Sequence, residues 1–81
     1  MSNNSQPYKW YHYVIYDHPK DFPDDFVVRR FEITKDGAIP ESKLFMNRKS
    51  LGEIREQLKR IGLYPIARHT EDDPVIVETW V

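Results

Sequence analysis

Ser50-Leu51-Gly52-Glu53-Ile54-Arg55-Glu56-Gln57-Leu58-Lys59-Arg60-Ile61-Gly62-Leu63 is the one stretch of this chain with clear helical periodicity. Leu51, Ile54, Leu58 and Ile61 recur at helical spacing and form a single apolar stripe. Ser50 and Glu53 have the spacing of a capping box. The serine oxygen can accept the Glu53 amide, and the glutamate can reach back to the Ser50 amide. Gly62 stands where a left-handed closing residue is needed, and Leu63 would then meet Leu58 in a Schellman ending. Glu53 near the start, with Lys59 and Arg60 near the end, suits the helix dipole. The predicted helix runs from Ser50 to Ile61. About three turns are marginal alone in water. The stripe must therefore rest on something, and the rest of the chain reads as strands.

Upstream, Tyr8 to Tyr16 is dense in aromatic and β-branched residues and reads as a strand. One of its faces carries Trp10, His12, Val14 and Tyr16; the other carries Tyr11, Tyr13 and Ile15. Neither is cleanly polar, as expected for a central strand or one covered on both sides. Asp17 to Asp25 holds two prolines and four aspartates and reads as a loop. Pro19 and Pro23 should hold His18 and Phe22 extended, with Phe22 as the anchor of a stiff loop. Phe26 to Thr34 is a second strand. Simple alternation places Val27, Arg29, Phe31 and Ile33 on one face; a bulge at Arg29-Arg30 would instead turn both arginines outward. Lys35-Asp36-Gly37 predicts a tight hairpin in which both central residues take positive φ. In the returning segment, Ala38 to Met46, Pro40 allows only an edge strand or a loop. Leu44, Phe45 and Met46 should pack beneath the helix. Downstream, Leu63 to His69 and Pro74 to Val81 read as a hairpin turning at Glu71-Asp72-Asp73. In the last strand, Val75, Val77, Thr79 and Val81 alternate with Ile76, Glu78 and Trp80.

These readings predict an α+β fold: an antiparallel sheet of about four strands with one helix packed on one face. The order is β-β-α-β-β, with a short extra edge strand allowed before the helix. Residues 1–7 read as a disordered tail, and 8–81 as one domain. A domain of 81 residues buries only roughly 60–65% of its unfolded surface, so its core is small.

Composition excludes several function classes. There is no cysteine, hence no disulfide and no thiolate metal site. No apolar run approaches the roughly 20 residues of a membrane span, and the polar N-terminus lacks a signal-peptide core. No membrane partner is expected, and cytoplasmic is the default location. Twelve basic and thirteen acidic residues give a net charge of −1, with no global attraction to nucleic acid. His12, His18 and His69 match no metal-ligand spacing, so neither metal nor cofactor is expected. Gly37, Gly52 and Gly62 are isolated, leaving no phosphate-cradling loop. Asp24-Asp25 and Asp72-Asp73 lie in loops, where water keeps carboxylates ordinary.

What remains is a surface. A helix is about 10 Å wide, and four strands spaced about 4.8 Å make a sheet nearly twice that width. The helix cannot cover the whole sheet, yet both strand parities carry large apolar residues. The expected function is a non-enzymatic protein-binding or accessory module, with Trp10, Tyr16, Arg29, Arg30 and Trp80 as the candidate binding surface. Its partner would be another protein or, by weak self-association, a second copy. The alternative is single-stranded nucleic-acid binding, with Trp10, Tyr11, Tyr13 and Tyr16 stacking on bases and Arg29, Arg30 and Arg68 meeting phosphates. A third reading is a small hydrolase or toxin-like nuclease, with His12 or His69 beside Arg68 and a tyrosine.

Overall fold

The computed structural model describes residues 9–68 and 75–81. The tail 1–7, His69 and the acidic turn Glu71 to Asp73 lie outside them, as does the placement of the Arg68 side chain. The fold is α+β. Strands β1 (Trp10–Asp17), β2 (Phe26–Thr34), β3 (Gly37–Pro40) and β4 (Met46–Arg48) precede helix α1 (Leu51–Arg60). Strands β5 (Pro65–Arg68) and β6 (Ile76–Trp80) follow it. The sheet is antiparallel, in the order β3-β2-β1-β6-β5. It has six strands where about four were expected. The nine-residue β2 is long enough to take two short partners on one edge: β3 along Phe31 to Thr34 and β4 along Phe26 to Val28. Pro40 ends β3 on that outer edge, where its missing amide costs no ladder bond.

The helix matches its sequence signals closely. The Ser50 hydroxyl oxygen accepts the Glu53 amide at 3.2 Å. Glu53 does not return to the Ser50 amide; its carboxylate accepts the serine hydroxyl at 3.3 Å. At the other end Gly62 has φ 93°. The Leu63 amide donates to the Leu58 carbonyl and the Gly62 amide to that of Lys59, both at 3.0 Å, which is the Schellman pair. Ile61 departs from the stripe and is 52% exposed. It sits at the C-cap, where the chain leaves the helix, and Leu63 packs on the core in its place.

The core lies between the helix and one sheet face. Ile54 and Leu58 meet Ile15, Val28 and Trp80, all fully buried, and Phe45, Met46, Leu51, Leu63 and Val77 close around them. Trp80 directs its indole N–H into this interior, where it donates to Glu78 Oε2 at 2.7 Å. Glu78 in turn takes both guanidinium arms of Arg55 from the helix, at 2.9 and 3.1 Å. The buried carboxylate is thus neutralised by an arginine whose own head stays half in water.

One open alternative is decided and two local expectations are corrected. First, β1 and β2 pair without interruption from Trp10 opposite Ile33 to Asp17 opposite Phe26, so there is no bulge at Arg29-Arg30. Second, the turn between β2 and β3 is Lys35-Asp36, with Gly37 already paired to Thr34. Asp36 does not adopt positive φ. The Thr34 hydroxyl holds this turn instead, accepting the Asp36 amide and donating to the Gly37 carbonyl. Third, His18 is not extended but has φ 48°. Its amide donates to the Asp25 carbonyl and closes the loop, its ring pairs with Asp17, and it packs edge-on against Phe26. Phe22 is only half-buried. The loop is held by two internal turns, Phe22 to Pro19 and Asp25 to Phe22, and by Asp25. That carboxylate accepts Asn47 Nδ2 at 2.7 Å and meets Lys49 Nζ at 2.9 Å.

Candidate interaction surface

Alternation decides which side chains face the helix and which do not. Ile15 lies in the core, so Tyr11 and Tyr13 share its side, and Trp10, His12, Val14 and Tyr16 point the other way. The uninterrupted register then sends Val27, Arg29, Phe31 and Ile33 to this second face and Phe26, Val28, Arg30 and Glu32 to the helix side. On β6 the pairing shifts between Ile15 and Tyr16. One extra residue is absorbed there, so Val77 packs on the core with Glu78 and Trp80, while Ile76 and Thr79 both reach the second face. The simple alternation expected for this strand does not hold.

The second face carries an open, apolar groove of about 230 Å³, lined by His12, Val14, Tyr16, Phe31, Ala38, Ile76 and Thr79. No helix covers it among the described residues. Its walls come from four strands, β1, β2, β3 and β6, so its shape belongs to the sheet and not to any loop. Trp10 stands on the same face at the start of β1 and is 74% exposed. At the opposite end of β1 the loop 18–25 borders the face, and Asp21 pairs with Arg29. Arg29 therefore contributes a neutralised rim, not a free cation.

The five residues expected to form one surface divide between two faces. Trp10, Tyr16 and Arg29 share the open face. Trp80 is 1% exposed in the core and cannot meet a partner. Arg30 is on the helix side. Its guanidinium lies 4.2 Å from the Tyr11 ring centre and 5.7 Å from that of Phe45, and its Nε donates to Glu41 at 2.9 Å. The Glu41 bond, with a second to Tyr13, holds Arg30 well above its ordinary pKa. This is a packed cation–π contact on the flank of the core. Reading by residue type missed His12, Val14, Phe31, Ala38, Ile76 and Thr79. The parity of β1 and β2 points to the first three. The others depend on strand pairing and on the β6 irregularity, which leave no local signal.

Of the remaining candidate chemistry, His69 and the Arg68 side chain lie outside the described residues. His12 lines the groove and His18 closes the loop. Among the described residues no three His, Asp or Glu side chains are grouped so as to hold a metal ion. No helix of the described residues is long and apolar enough to cross a membrane. Comparison with protein-family models, curated proteins and solved structures finds no match to this chain.

Proposed function

We propose that the chain is a small non-enzymatic interaction module that docks a protein on the open sheet face, with Trp10 as the anchor and the groove beside it as the receptor. The observation that supports this most is the pairing of a 74% exposed tryptophan with an apolar groove on a face that no helix of the described residues covers. Tryptophan is among the residues that most often dominate interface energy, and a sheet with apolar side chains on both parities gains by covering both. The volume of about 230 Å³ falls below the range of enclosed small-molecule sites, and it suits a single side chain. A nucleic-acid reading is less well supported on this face. The one arginine that the described residues place there is engaged by Asp21, and a phosphate would have to displace that carboxylate.

The test is photo-crosslinking in the source cells, with a benzoylphenylalanine placed at Trp10, at Ala38 or, as control, at exposed Lys59 on the helix. Discrete protein adducts from the first two positions and none from the third are expected. Adducts from all three alike, or from none, would remove the basis for a dedicated surface.

A further inference from the structure

The open face holds both halves of a contact: a projecting tryptophan and a groove of side-chain size. Trp10 and Val14, at the middle of the groove, lie four residues apart on β1, or about 13 Å. Resting on the surface reading above, we propose that the partner is a second copy of this chain. The two sheets pack face to face about a two-fold axis that crosses β1 near His12, and each copy seats its Trp10 in the other's groove. In such an isologous contact residue i meets j and j meets i. An axis in the plane between the sheets, perpendicular to β1 and midway between Trp10 and Val14, satisfies both contacts at once and lays the two β1 strands antiparallel.

Charge and area are consistent with this occupant. Arg29 on this face is paired with Asp21, and the groove walls carry no lysine, arginine or carboxylate, so no such charges of like sign face each other there. The same rotation brings the β2–β3 turn of one copy, with exposed Lys35, toward the loop of the other that carries exposed Asp24. A sheet five strands wide offers at most on the order of 500 Å² per copy, or about 1,000 Å² in all, because Val27 at one end of this face is already buried. That is the lower end of specific interfaces and predicts a weak, reversible dimer. The packing is that of a β-sandwich, with the helices outside and a shared second core between the sheets.

Sedimentation equilibrium from micromolar to millimolar chain tests the proposal on the intact protein. The average mass should climb from 9.7 kDa toward twice that value, with weaker association at high salt. Acrylamide quenching of Trp10 should fall in parallel. Trp10→Ala and Ala38→Arg alter exposed positions and should keep the fold by circular dichroism. Each should raise the dissociation constant about 30-fold or more. Ile61→Lys, which removes an exposed apolar side chain on the helix side, should leave it unchanged. A wild-type chain that stays monomeric throughout overturns self-association. The surface reading then stands if the Trp10 crosslinks join a different protein and falls with it if there are none. A dimer indifferent to both Trp10→Ala and Ala38→Arg overturns the face and the seating together.

Discussion

The two tryptophans show how one residue type takes opposite roles according to strand parity and position. Trp80 is packed by Ile54 and Leu58, with its N–H committed to Glu78. Trp10 has no such enclosure. Trp80→Ala should therefore cost about 3–5 kcal/mol, the loss typical of a large buried ring. Trp10→Ala should move monomer stability by no more than about 0.5 kcal/mol. Urea melts at concentrations where the protein is monomeric measure both. Equal losses from the two variants would mean that Trp10 is packed in solution. Arg29 and Arg30 divide in the same way. They are neighbours in sequence, but one borders the open face against Asp21 and the other lies over Tyr11 on the helix side.

At the level of elements, α1 is the segment whose ends are written most locally. Ser50→Ala removes the acceptor of the Glu53 amide and should destabilise by about 1 kcal/mol. Gly62→Ala meets no neighbouring atom within 4 Å, so crowding is not at issue. Its cost comes from φ 93°, which alanine resists, and should also be about 1 kcal/mol. Denaturant midpoints report both, and wild-type midpoints would show that neither cap holds the helix. The strands are less local. The ends of β4 and β5, and the irregularity in β6, follow from which partner each segment meets.

The whole molecule is tied together by contacts distant in sequence, and Asp25 is the clearest. It joins the loop after β1 to Asn47 and Lys49, at the entrance to the helix. Hydrogen bonds from Lys49 first and Asn47 second hold its carboxyl below the ordinary 3.8, and Lys49 is raised by the same contact. A carboxylate depressed in the folded state contributes stability above its unfolded pKa and loses it as pH falls through the folded value. Wild-type stability should therefore decline on the acid side, from about pH 4 downward. Asp25→Asn, less stable at neutral pH, should show a shallower decline there. Thermal midpoints of the two proteins between about pH 5 and pH 2 decide it. Parallel curves would show that Asp25 gains nothing from its partners.

The sequence by itself determined the helix, its caps, the aromatic central strand and the α+β class. The physical reason is that each rests on short-range rules: periodicity of 3.6 or 2, a capping hydroxyl, a glycine at positive φ, a proline confined to an edge. Parity within β1 was equally legible, because alternation needs no knowledge of neighbours. Only the tertiary structure decided the rest. Nothing local sets the register of β1 against β2 across the loop 18–25, and that register is what assigns Arg29 and Arg30 to opposite faces. Trp80 went to the core because its strand runs beside β1 under the helix, with Glu78, itself held by Arg55, placed to accept its N–H. The groove exists only because Phe31, Ala38, Ile76 and Thr79, from three strands, gather around His12, Val14 and Tyr16. Such a surface is a property of strand pairing, and pairing is set by long-range burial that no single segment encodes.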